Sequence, residues 1–225
     1  MNSINSDKIY PIENLKTTIF LKPLIEESDV TNVIVGEYTY YSDFKEPRNF
    51  LKDNVLYNYG ISNTELRIGK FCAIANGVQF IMADANHAMT GVTTFPFPVF
   101  GGSWAEKMPF SDYPLKQYKD IVVGNDVWLG ESVTIMPGVR IGNGAIIGGK
   151  AVVAKDIPPY SIAVGNPAKV VRTRFPEEVI KVLEKLSWWD WPIRHIEENM
   201  RSLVNGDIEA LLDYAEKNDL IRDMA

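Results

Sequence analysis

A period of six residues runs from Val123 to Ile157, VGNDVW LGESVT IMPGVR IGNGAI IGGKAV VAKDI, and few folds accept such a period. Cut at that interval, Val123, Leu129, Ile135, Ile141, Ile147 and Val153 fall in one column. Four positions further on, Val127, Val133, Val139, Ala145, Ala151 and Ile157 form a second. A helix repeats every 3.6 residues and a strand every 2, so neither explains the pattern. It marks a parallel β-helix in which each hexapeptide is a short strand plus a turn. The first column points into a prism and the second fills its corners. Glycines at Gly124, Gly130, Gly142 and Gly148 are expected to permit the tight turns. The columns also appear earlier, as Ile68, Ile74 and Phe80 with Cys72 and Val78, which makes Cys72 an inward packing residue.

Between Phe80 and Ile121 the pattern is lost for 40 residues. Insertions of that length in compact domains are usually functional or disordered. This one contains TTFPFPVFGGSW, too aromatic for disorder, so it is expected to fold back on the prism or on a neighbouring subunit. It opens with ADANHAMTG, which holds His87, one of two histidines in the chain. A loop histidine is often only a surface residue. Here it interrupts a regular scaffold and has few rivals as general base. His195, in PIRHIEEN, falls off the Ile193/Ile196/Met200 face beside Arg194 and is expected to be exposed, without a chemical role.

After the repeat, GNPA (Gly165 to Ala168) marks a turn. Pro176, Glu177 and Glu178 suit a helix start, and Val179, Ile180, Leu183 and Leu186 keep one apolar face. SWWDWP is expected to break that helix at Pro192; Ile193, Ile196, Met200 and Leu203 suggest another, and a last short helix follows Asp207. The N-terminal part, with EYTYYSDF and VLYNYGI, mixes short strands and loops. The fold is therefore mainly β: a β-helix over residues 1–171 with an excursion loop at 81–120, then a helical extension over 172–225.

Several classes of function drop out. The formal net charge of −6, from 29 acidic and 23 basic residues, disfavours nucleic acid as a partner. Lys150, Lys155, Lys169, Arg172 and Arg174, with Asp156 the one acid among them, make either a dock for a small anion or a solvated basic edge. One cysteine allows no intrachain disulfide, and neither a signal peptide nor a membrane span is visible, so the cytoplasm is the default location. No metal is expected: two histidines and a cysteine lack the ligand spacing of a catalytic zinc, and the three-histidine site of a β-helical carbonic anhydrase needs more histidines than the chain has. There is no G-x-S-x-G elbow.

The hexapeptides, the looped-out ANH, the FPF after it, NDVWLG, IMPGV, GNPA and WWDWP together resemble the xenobiotic acetyltransferases, namely the type B chloramphenicol and streptogramin A (virginiamycin) acetyltransferases. The resemblance runs from GEYTYY at Gly36 to GDIEAL at Gly206. Hexapeptides alone are shared by many acyltransferases; the ANH loop and the WWDWP tail are more specific. The resemblance implies a left-handed β-helix and a homotrimer with active sites at subunit interfaces. It implies acetyl transfer from acetyl-CoA, a cosubstrate with no permanent cofactor beside it, to an acceptor hydroxyl, with His87 as general base.

It also implies further roles. Lys155, Lys169 and Arg172 match positions that contact coenzyme A phosphates. Gly149 and Ala154 match positions that offer backbone groups to the pantetheine arm. Trp128 matches a tryptophan beside the thioester, or is simply a large apolar residue on a subunit face. Tyr40 and Tyr59 match positions lining the drug pocket, or are core or interface aromatics, and Asn86, which stays with the histidine, is expected to bind substrate as well. The streptogramin enzymes read GANHRMDG where this chain has DANHAMTG, so Asp84, Ala88 and Thr90 depart from the pattern and leave the acceptor open. A sugar O-acetyltransferase is the first alternative, although those usually have a shorter loop, often with His-Pro, and lack WWDWP. A non-catalytic trimeric binding protein is the second.

Overall fold

The strands of the repeat are only two or three residues long and recur every six. They are β8 (Ile121–Val123), β9 (Trp128–Leu129), β10 (Thr134–Ile135), β11 (Arg140–Ile141), β12 (Ile146–Ile147) and β13 (Val152–Val153). Before them come β1 (Thr18–Phe20), β2 (Val33–Val35), β3 (Tyr40–Ser42), β4 (Val55–Leu56), β5 (Leu66–Ile68), β6 (Ala73–Ile74) and β7 (Gln79–Ile81); after them come β14 (Ser161–Val164) and β15 (Lys169–Thr173). The structure is a computed structural model describing residues 4–85 and 87–221.

The strands form three sheets, ordered β1-β3-β6-β9-β12-β14-β15, β13-β10-β7-β4 and β11-β8-β5-β2. All pairings are parallel except β1 with β3 and β14 with β15, at the two ends of the first sheet. Within the repeat, partners sit eighteen residues apart, as Trp128 beside Ile146, Thr134 beside Val152 and Val122 beside Arg140. Three hexapeptides therefore make one coil, each contributing to a different sheet.

Both inward columns are buried from Val123 to Ile157, none more than 5% exposed, and Ile68, Cys72, Ile74, Val78 and Phe80 join them. Each large aliphatic so buried contributes about 1.5–3 kcal/mol. Burial pushes the Cys72 thiol up to about 12, so it stays protonated and unreactive.

The glycines of the repeat act differently from expectation. The left-handed turn residues are Asp126, Ser132, Gly138, Gly144 and Lys150, again every six positions, and three of the five are not glycine. Gly124, Gly130 and Gly142 instead allow one coil to touch the next. A Cβ there would sit 2.7 Å from the Asn143 nitrogen, 2.6 Å from the Gly149 nitrogen and 2.4 Å from the Pro159 nitrogen, respectively.

Across the excursion the pairing offset rises from eighteen to fifty-five, with Thr134 beside Gln79 and Ile121 beside Leu66, so one coil carries 37 extra residues. Within them lies the helix α3 (Gly102–Lys107), which follows α1 (Leu21–Glu26) and α2 (Phe50–Asp53) in the chain. The loop's aromatic residues pack on one another: Phe95 stacks on Phe100 at 5.2 Å, and Trp104 meets Phe95 and Phe97 edge-on.

The chain ends in α4 (Glu177–Leu186), α5 (Ile193–Asn205) and α6 (Ile208–Lys217). The break after α4 falls at Ser187, which is left-handed, and not at Pro192, which caps α5. The expectation for His195 is also corrected, because its ring is buried. Arg194 Nε donates to its Nε2 at 3.2 Å, so Nδ1 carries the proton and donates to the Tyr214 hydroxyl at 2.7 Å. Tyr214 in turn donates to Glu198. The imidazole is a polar rivet between α5 and α6. No described helix is long and apolar enough to cross a membrane.

Candidate active site

His87 lines a cleft of about 510 Å³ between the start of the excursion loop and the segment that follows β4. Tyr57, Tyr59 and Ile61 form one wall; Pro96, Phe110 and Tyr113 of the excursion contribute to the other. Tyr57 and Tyr59 meet edge-to-face, 6.5 Å apart. A comparable hollow between the prism and α4–α6 contains no histidine.

His87 Nδ1 lies 2.7 Å from the Thr94 carbonyl oxygen. A carbonyl only accepts, so Nδ1 carries the hydrogen and the neutral ring keeps its lone pair on Nε2. That is the form required to remove a proton. A backbone carbonyl of the loop, and not a side-chain carboxylate, is the partner that selects it.

The other sequence candidates are distributed over the prism. Tyr59 joins His87 in the cleft. Tyr40 lies instead on β3, half-exposed on the outer face of the first sheet. Along that face Tyr40, Ala73, Trp128, Ile146, Ile162 and Arg172 occupy one row, each paired with the next. Trp128 is 54% exposed there, an unusual setting for indole unless something covers it. Gly149 follows β12 at one edge of the prism, and Ala154 and Lys155 follow β13 at another. Lys155, Lys169 and Arg172 are exposed, and among the described residues none pairs with a carboxylate. Arg174, by contrast, is held by Asp126 at 3.4 Å and by the Gly144 carbonyl at 2.7 Å. Asn86 lies outside the described residues. One protomer thus unites His87 with Tyr59 and leaves Tyr40, Trp128, Lys169 and Arg172 on the first sheet, while Lys155 follows β13 in the same sheet as β7, after which the excursion departs.

Residues 120–155 match the family model for the bacterial transferase hexapeptide, six repeats. A virginiamycin A acetyltransferase from Staphylococcus aureus is 48% identical over 206 residues, covering 91% of this chain and 90% of that protein. A probable macrolide acetyltransferase from Lysinibacillus sphaericus is 46% identical over 181 residues, covering 80% and 99%. A chloramphenicol acetyltransferase from Escherichia coli is 41% identical over 193 residues, covering 84% and 90%. The chain belongs to the xenobiotic acetyltransferases.

In this acetyltransferase's cleft Tyr113 had no signal in the sequence pattern, and Asp84 had shown only as a departure from the streptogramin loop, with no structural role attached. The Tyr113 hydroxyl accepts the backbone N–H of buried Ala88 at 3.0 Å, one residue from the histidine. Asp84 accepts three backbone N–H groups from the tyrosine wall: Tyr59 at 2.7 Å, Ile61 at 3.1 Å and Ser62 at 2.8 Å. Burial opposes its ionisation, but hydrogen bonds from the Ser62 side chain and from these amides prevail and hold its carboxyl below the ordinary value. Both contacts join positions more than twenty residues apart, which a local motif cannot encode.

Proposed function

We propose that the protein moves acetyl from acetyl-CoA to a hydroxyl of a bulky, partly apolar xenobiotic of the streptogramin A or chloramphenicol type, with His87 as general base. The observation that carries this reading is the Thr94 carbonyl on His87 Nδ1, which leaves the basic lone pair on Nε2 of a residue lining an aromatic cleft. The acceptor hydroxyl gives its proton to Nε2 as its oxygen attacks the thioester carbonyl. Backbone N–H groups stabilise the tetrahedral oxyanion. Collapse breaks the carbon–sulfur bond, and the leaving thiolate takes the proton back from Nε2–H. The products are the acetyl ester and free coenzyme A, with no covalent enzyme intermediate. Holding both substrates together in one ternary complex supplies much of the remaining rate.

The protein works as a homotrimer of left-handed β-helices in the cytoplasm, with each site at a subunit interface. The separation of His87 from exposed Trp128 within one protomer supports this arrangement, because a second subunit is needed to close the site. Exposed Lys155, Lys169 and Arg172, none paired with a carboxylate among the described residues, receive the phosphates of coenzyme A, while Gly149 and Ala154 leave room for its pantetheine arm. Proline, phenylalanine and tyrosine walls favour a drug-like acceptor over a saccharide.

The test is thiol release from acetyl-CoA with virginiamycin M, chloramphenicol and several sugars as acceptors. Turnover on either drug supports the reading and selects its branch. Turnover on sugars alone replaces it with the saccharide alternative.

A further inference from the structure

Within one protomer the tyrosine wall of the cleft is not held in place by burial. Tyr59 is 68% exposed, Tyr57 46% and Ile61 44%, so apolar packing does little to fix them. The backbone beneath them is contorted: Tyr57, Gly60 and Asn63 all have positive φ, at 59°, 75° and 52°. That winding turns the N–H groups of Tyr59, Ile61 and Ser62 toward a single point. Asp84 fills it, with Oδ2 accepting from Tyr59 and Ile61 and Oδ1 from Ser62. Asp84 belongs to the short turn Ala83–Ala85, three positions before His87.

We infer that Asp84 is a positioning residue: its carboxylate clamps the Tyr57–Ser62 wall to the histidine-bearing loop and so fixes the cleft that selects the acceptor. The geometry gives the reason. Two oxygens serve three backbone donors that come from one wall, and the chain bearing those oxygens leads directly to the proposed general base. Without the carboxylate, three convergent N–H groups lose their common acceptor and the exposed tyrosines lose their register against His87. The proposed donor contacts at Trp128, Lys169 and Arg172 lie on the first sheet, away from this clamp, and should be unaffected by the loss.

This inference rests on the proposed function for its consequence, though not for the clamp itself. The experiment compares wild type with Asp84→Asn and Asp84→Ala. Asparagine preserves size but replaces one acceptor oxygen with an NH2 that faces the same amide hydrogens. Hydrogen exchange on the peptide covering residues 57–62 should speed up at least tenfold in both variants, while exchange in the β10 coil stays at the wild-type rate and shows the fold intact. Acceptor KM should rise at least tenfold, with the KM for acetyl-CoA within twofold of wild type. Unchanged exchange at 57–62 would overturn the clamp. Faster exchange with an unmoved acceptor KM would overturn its role in selection. If wild-type protein acetylates none of the acceptors, the proposed function fails, and the exchange rates still decide the clamp.

Discussion

Removing one oxygen from Tyr113 tests how the histidine loop is held. Its hydroxyl is the acceptor for the buried Ala88 N–H at 3.0 Å, and its ring stacks on Phe110 at 6.0 Å with an interplanar angle of 14°. Tyr113→Phe keeps the ring and its stacking and deletes only the acceptor. A buried N–H left without a partner costs about 1–3 kcal/mol. Because the amide adjoins His87, that cost falls on the loop conformation that presents the proposed base. At about 1.4 kcal/mol per factor of ten, kcat/KM for the acceptor should fall roughly fivefold to a hundredfold or more. The assay is thiol release under limiting acceptor, with melting temperature and acetyl-CoA KM measured alongside. Both should stay close to wild type, since the loop lies outside the prism core. A variant with kcat/KM within twofold of wild type would refute the idea that this hydrogen bond sets the loop.

Gly142→Ala places a Cβ 2.4 Å from the Pro159 nitrogen, so the coils must separate; it should cost about 1–3 kcal/mol, seen as a melting temperature lower by roughly 2–4 °C per kcal/mol. Lys169→Ala combined with Arg172→Ala should weaken acetyl-CoA binding at least tenfold in calorimetry and weaken it less as salt rises, with the fold unchanged. Because the Asp84 carboxyl is held below its ordinary value, the clamp contributes fully above the unfolded carboxylate pKa of about 4 and is lost as pH falls through the lower folded value. Exchange at residues 57–62, corrected for the intrinsic rate, should therefore stay slow at pH 5 and accelerate only below about 4, and should lose this acid step in Asp84→Asn.

The inward columns could be read directly because the prism accepts only aliphatic or small residues at two positions in each six. The turns were less legible. Their left-handed positions hold Asp126, Ser132, Gly138, Gly144 and Lys150, which share a conformation but no chemistry. The glycines nearby were visible but misread, since their purpose is contact between coils and that contact exists only once the coils are stacked. His195 looked exposed because a wheel drawn for α5 alone omits α6, which brings Tyr214 over the ring. His87 stood out through the interruption of a strict repeat. Its supports did not: Thr94 acts through a backbone carbonyl that any residue would provide, and Asp84 and Tyr113 reach it across the fold. The resemblance gathers Tyr40 and Tyr59 around one acceptor; within one protomer Tyr40 lies in the first sheet and Tyr59 follows β4 of another, so their meeting depends on the proposed assembly.

The central claim is that the His87 imidazole removes the acceptor's proton. The most direct measurement is turnover of His87→Ala, on whichever acceptor the wild type uses, in protein matched to wild type for assembly size, melting temperature and acetyl-CoA affinity. His87→Ala should lose roughly a hundredfold or more in kcat. An undiminished rate in that matched protein would contradict the claim.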